Sequence, residues 1–555
     1  MRLATLGAWL LVTGCEEPAV TDTADDVVRV EVSPEGVTVD VVDGAVSPQT
    51  FTAVAVHESG ATEPISGTWA LDRVDLGAFS ADGVFTANGS LGGAGVVSFA
   101  ADGWTDTADL AVRLVFTAPL DDAVAAALDA ATAGDPSVTV VYPDDDLVYP
   151  RGLEAPTLQW NGAAPSDVHR VRVRGPFVDY TASVTNAVPG RFQIPRGTWD
   201  AIAASSDGPL AVSLQRHDGA VAYTPVTRTW TIAPTELPGL LYYWSGNLGT
   251  VQRLAPGDPA SEPALTPPAG ATCIGCHSVS DDGTRMVASL HGGYAPWATF
   301  DAASGEPIYT SDLGSGFQAI TPDGAHVLWG QWTNASFDDV DHLVLSASDD
   351  PTELARLTAP SGAPAHPAWS PDASRVAFSV RTDGNGLDFT SSSLWVADVS
   401  WDPPSFGGLT AIAQGDVDRP TLTFPTFAPD STWIAFERAT QSRARGAESD
   451  LWLTNADGSV QVELAAANGG AQASYEPEFL PIEAGGYYWI AFASQRPYGN
   501  TLTDTDPGSR RNQIWIAAVD RAPVPSDDPS HAAFWLPGQD LADSVLRAQW
   551  TAAAP

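Results

Sequence analysis

What this chain lacks sets its limits. It has no lysine: its 26 basic residues are all arginine, set against 68 acidic ones, for a formal net charge of −42. A face that binds nucleic-acid phosphates needs clustered cations. The strongest basic cluster is the Ser-Arg-Arg run at 509–511, so nucleic acid is excluded as a partner. Cysteine occurs 3 times and methionine 2 times, which excludes a disulfide-rich scaffold. No apolar run reaches the length of about 20 residues that a membrane-crossing helix needs. There is no Gly-x-Ser-x-Gly elbow, no His-Glu-x-x-His and no Walker-type phosphate loop, so the common hydrolase, zinc-protease and nucleotide chemistries have no foothold.

What is there speaks for large cores and many turns. Hydrophobic residues make up 44% of 555, with 19 Trp, 50 Gly and 44 Pro. That is enough for several domains with few long helices. The start, MRLATLGAWLLVTGC, has a charged Arg2, an apolar run too short to cross a bilayer, and a small residue before Cys15. It resembles the lipobox of bacterial lipoproteins. The resemblance implies a signal peptide over 1–14, acylation of Cys15 and an acidic tether over 15–26. The expectation is an exported chain, lipid-anchored in the cell envelope at the outer membrane. An ordinary signal with an incidental cysteine is the competing reading.

Residues 27–117 alternate apolar and polar in short runs (VVRVEV, FTAVAV, VVSFAA) separated by turn signals, the pattern of a small antiparallel sandwich. Trp69 followed by the hairpin DGVFTANG resembles the bacterial Ig-like group 2 domain. Residues 118–136 are alanine-rich and read as a helical connector, with Asp121 or Asp122 at its start. Residues 137–237 return to strands and resemble a fibronectin type III sandwich. Neither sandwich holds a catalytic grouping, and both read as spacers.

From 238 to 555 the texture becomes a repeat. PAWSPDASRVAFS at 367–379, PTFAPDSTWIAFE at 425–437 and QAITPDGAHVLWG at 318–330 follow one pattern: an inner strand ending in an aromatic, a Pro-Asp turn, and an apolar strand returning. This resembles the TolB-type β-propeller repeat. One alignment column holds His277, Gln318, Pro367, Pro425, Pro477 and Ala548, so six inner strands imply six blades. The segment 241–254 matches the rhythm of third and fourth strands elsewhere and is expected to complete the last blade, removing free sheet edges. The fold class is therefore all-β: two β-sandwich domains followed by a six-bladed TolB-like propeller.

The first of these inner strands carries CIGCH. Cys273, Cys276 and His277 match the Cys-x-x-Cys-His attachment string of a c-type haem, which implies two thioethers and His277 as proximal iron ligand, with one covalent haem. The alternatives are a Cys273–Cys276 disulfide and, more weakly, a zinc site, which would need a second ligand pair. For the sixth iron position, His291 in a glycine-rich loop is the first candidate. Met286 is the second, expected across the hairpin from His277 or Ser278, where it also fits an apolar core column. His366 reads as part of the repeat, and His326 earns no role. The acidic runs at 143–146 and 337–341 read as solvated surface.

The functional expectation is an envelope-anchored haem protein in electron transfer or redox sensing, facing a redox or envelope protein partner. The competing class is a protein-binding propeller scaffold with a structural disulfide. A peroxidase would need an open iron position and a distal acid–base group, and is the third reading.

Overall fold

The structure, a computed structural model, describes residues 25–553 except 186, 207, 266, 269, 294, 295, 332–340, 445 and 504–510. The signal-like segment, Cys15 and most of the 337–341 run therefore lie outside the described residues. Among those described, no helix is long and apolar enough to cross a membrane.

Two compact units result. The first comprises residues up to Val39, Val46–Asn88 and Ala94–Val112; the second comprises Asp40–Ala45, Gly89–Gly93 and everything from Arg113. In the first, Val27–Ser33 pairs with Thr52–His57, and Thr68–Leu71 pairs with Gly93–Ala101, both antiparallel. Alternation buries every second residue, such as Val30 and Val32. Trp69 stacks on Phe79 at 5.7 Å and meets Phe99 at 4.7 Å, so the Trp-hairpin signal marks the aromatic core of this unit.

The second unit begins with a helix, Asp122–Asp129, shorter than the alanine-rich stretch. Asp121 caps it by accepting from Ala123 N at 2.9 Å and Val124 N at 3.1 Å. A sandwich follows. One face contains Val168–Gly175 between Val178–Thr185 and Pro209–His217; the other contains Thr139–Tyr142, Leu158–Asn161 and Gly190–Phe192. A second helix, Arg196–Ser205, buries Trp199 and Ile202; the sequence reading had only strands here. This sandwich is no free spacer beside the propeller. Tyr149 meets Phe534 edge-on at 4.7 Å, Tyr142 meets Tyr498 at 4.8 Å, and Asn500 Nδ2 donates to the carbonyls of Trp160 and Gly190 at 3.0 Å. Sandwich and fifth blade share one core.

The propeller has six sheets of four strands each. Blade one runs Gly275–Val279, Arg285–Ser289, Pro296–Asp301 and Pro307–Gly314. Blades two to five start at inner strands Ala319–Ile320, Ala363–Trp369, Thr421–Phe427 and Ser474–Phe479. Blade six takes its inner strand from the far end, Val545–Trp550, which pairs with Leu241–Ser245, then Thr250–Leu254, then Glu262–Pro263. The 241–254 segment thus supplies second and third strands rather than third and fourth. The reason is that only one strand of this blade comes from the C-terminal side. This pairing joins the last repeat to the first and closes the ring.

The Pro-Asp turns explain the repeat chemically. In blade three, Ser370 Oγ donates to Asp372 Oδ1 at 2.6 Å, Ser374 N donates to the same oxygen at 3.0 Å, and Arg375 N donates to Ser370 Oγ at 2.9 Å. Ser280 with Asp282 in blade one and Thr321 with Asp323 in blade two repeat the arrangement.

Candidate functional site

In five of the six blades the inner strand is interrupted one residue before the aligned column. In blade one, Gly275 pairs with Ser289 and Ser278 with Val287, so Cys276 and His277 together oppose a single partner residue. This is a β-bulge. The same slip occurs at His366–Pro367, Phe424–Pro425, Glu476–Pro477 and Arg547–Ala548. In five of the six blades the first bulge residue has positive φ: 49° at Cys276, 46° at His366, 46° at Phe424, 51° at Glu476 and 55° at Arg547. Non-glycine residues seldom hold that conformation. Here it turns one side chain per blade toward the propeller axis.

Those side chains, with Phe317 from blade two, meet one another. Phe317 packs edge-on against His366 at 4.7 Å and Phe424 at 4.9 Å, His366 stacks on Phe424 at 4.2 Å, and the Arg547 guanidinium lies 5.1 Å from the Phe424 ring centre. Cys276 packs against the Phe317–Leu387–Phe424 cluster. The channel is therefore ringed by Cys276, Phe317, His366, Phe424, Glu476 and Arg547. His366, which the sequence presents as part of the repeat, belongs to this ring. Its imidazole bonds Thr423 Oγ1, and burial, then the nearby Arg547, holds its pKa well below the ordinary value.

Both cysteines are free of a disulfide. Both line one cavity of about 390 Å³ at the channel end where the inner strands begin, with Trp244, Phe317, Glu476, Asn512, Leu546 and Arg547. Glycines permit this closeness. A Cβ on Gly293 would stand 2.4 Å from a Leu387 methyl carbon and 3.4 Å from Cys276 Sγ. Burial pushes the Cys276 thiol up to about 12, so it is protonated and unreactive at neutral pH in the folded protein.

His277 lies beside Cys276 but is not among the residues lining that cavity. It is 0% exposed, and neither ring nitrogen has a hydrogen-bond partner. Burial, helped by Arg547, lowers its pKa to about 3, against a weaker opposing influence of the Tyr242 backbone. The imidazole is neutral, the form that binds metals. Two unbridged thiols on one cavity and a neutral imidazole that adjoins it without lining it are the residue types that a c-type haem would use.

The two candidates for the sixth position are placed differently. His291 forms a backbone bridge with Cys273, and Gly292 N donates to Cys273 O at 3.1 Å; its side chain is exposed at the cavity rim. Met286 pairs with Val279, not with His277 or Ser278, because the turn closes at Ser280 and Arg285 and sets the next pair as Val279 with Met286. It is 0% exposed in an apolar cluster with Tyr242, Val251 and Phe300. Among the described residues no group of three or more His, Cys, Asp or Glu stands ready to hold a metal by itself.

Sequence reasoning missed Glu476, Asn512 and Arg547. For Glu476 and Arg547 the signal was available: each stands one place before the aligned column. Further along the same inner strands a second, smaller cavity is lined by Asp281, Glu478, Gln549 and Arg547. Glu478 accepts from Gln549 Nε2 at 2.7 Å.

No family model matches the chain, and no curated relative matches it. Among solved structures it is similar to an Agrobacterium tumefaciens protein described as TolB, at 16% identity over 57% of this chain and 99% of that one, with a TM-score of 0.32. It is also similar to hydrazine synthase from Kuenenia stuttgartiensis, at 15% identity over 48% and 68%, TM-score 0.29. A third likeness is to the dihydro-heme d1 dehydrogenase NirN, at 15% identity over 54% and 55%, TM-score 0.32. The six-bladed propeller itself follows from this chain's own sheets.

Proposed function

We propose that this chain is an exported, lipid-anchored c-type haem protein, in which the propeller presents one covalent haem at the end of its channel for electron transfer or redox sensing with an envelope partner. The observation that carries the reading is the pair of unbridged thiols, Cys273 and Cys276, on a single cavity beside a neutral imidazole. Bound haem would supply one-electron chemistry at its iron. Cys273 and Cys276 would hold it by thioethers, His277 would offer a ring nitrogen to the iron, and Phe317 and Leu546 would keep water from the cavity.

Intact mass of the mature protein, made in a host with haem-attachment machinery, tests this. The expected mass includes one haem that survives denaturation, and replacing both cysteines with serine abolishes it. His277→Ala shifts the absorption spectrum. A mass lower by two hydrogens with no haem would instead mark a disulfide and leave a propeller that works as a binding scaffold.

A further inference from the structure

The cavity beside the cysteines contains polar atoms that nothing in the protein satisfies. Two acceptors stand on blade five: Oε2 of Glu476, a residue 3% exposed, and Oδ1 of Asn512, 6% exposed. Two donors stand on blade six: Nε of Arg547, 8% exposed, and Nε1 of Trp244. A buried polar group left unpaired costs about 1–3 kcal/mol, and more when charged. Arg547 has aromatic faces beside its guanidinium, Phe317 at 5.6 Å and Phe424 at 5.1 Å, rather than a carboxylate in contact. Water would satisfy any one of these atoms. It gives no reason for their sorting by sign, with acceptors on one blade and donors on the next. The rest of the lining is apolar at Phe317, Ala444 and Leu546 and carries one more cation, Arg443, whose guanidinium is already paired with Asp388.

The geometry points to a binding site for a small zwitterion of the α-amino-acid class: its carboxylate on Arg547 and Trp244, its ammonium on Glu476 and Asn512, and its side chain against Phe317 and Leu546. The cavity volume suits such a molecule. Burial holds the Glu476 carboxyl above its ordinary range, and an arriving ammonium supplies the positive charge that favours its ionised form. Haem on Cys273 and Cys276 would fill this same cavity, so the two occupants exclude one another and the amino acid is a ligand of the haem-free chain; none of the site's four polar atoms belongs to the Cys-x-x-Cys-His string.

The test is titration calorimetry on the full-length chain made without haem-attachment machinery, with glycine, L-alanine and L-leucine, and with acetate and methylammonium as half-ligands. The expected result is one-to-one binding of at least one amino acid, with each half-ligand at least about tenfold weaker. Glu476→Gln and the shape-preserving Trp244→Phe should each weaken that amino acid about tenfold or more while near-UV dichroism stays native. The Cys273→Ser/Cys276→Ser chain should bind as the haem-free parent does, which separates this site from the fate of the thiols. The proposal is overturned if no amino acid binds, if acetate binds as well as glycine, if natively folded Trp244→Phe binds unchanged, or if the serine variant loses binding.

Discussion

Arg547 is the residue on which the channel turns. It lines both cavities, stands over two rings, and biases the charge of the acids around it. Burial, opposed by Arg547 and reinforced by Asp281, raises Glu478 to about 8; burial with Asp282 raises Asp281 to about 7. A carboxyl whose pKa is higher in the folded chain binds its proton more tightly there. Its stabilising contribution is fully present below the unfolded value, near 4, and is lost as pH rises through the folded one. Unfolding by urea should therefore show stability falling between about pH 5 and 8, and Glu478→Gln or Asp281→Asn should flatten the fall while changing little at pH 5. An unchanged slope in both variants would show that neither acid titrates in that window. Met286 offers a second check: Met286→Ala should lose about 2–5 kcal/mol of stability and leave any haem spectrum as it was. At this scale the sequence displayed the Cys-x-x-Cys-His string but not its surroundings. Glu476, Asn512 and Arg547 come from blades five and six, and only ring closure brings them to Cys276.

The bulge is the element that makes the site. Its left-handed residue disfavours a β-branched side chain strongly and glycine not at all. Cys276→Gly should thus be more stable than Cys276→Val by about 1–2 kcal/mol, measured by equilibrium urea unfolding, although valine carries more apolar surface. Equal stabilities would mean that the strand can straighten. The repeat was legible because the Ser-Pro-Asp turn closes on itself within six residues, as Ser370, Asp372 and Arg375 do, so each copy carries its own signal. The bulge has no composition of its own. It is occupied by cysteine, histidine, phenylalanine, glutamate and arginine in turn, and shows only as a position in an alignment. Met286 was set against His277 or Ser278 for a different reason: the turn closes at Ser280 and Arg285, and a slip of one residue there moves every pairing after it.

Across the whole molecule, order along the chain and order around the ring differ. A chain beginning at 260 would lack the partners of Val545–Trp550 and expose an inner strand, so it should aggregate where one beginning at 118 stays monomeric in light scattering. A chain beginning at 238 keeps the closing strands but strips the sandwich from Tyr142 and Tyr149's aromatic partners on blade five; it should melt below the chain that starts at 118. Both sandwiches were legible as strand patterns. That one of them shares a core with the propeller was not, because the contacts join residues hundreds of positions apart, such as Tyr149 and Phe534. The closing strand carries a consequence in time. Residues 545–550 are the last of the ring to be synthesised, and they deliver Arg547 over the channel. Until they arrive, nothing from the closing strand covers Cys276; afterwards burial holds its thiol protonated, although Arg547 itself pulls the other way. Any enzyme that modifies this cysteine works against a deadline set by the far end of the same chain.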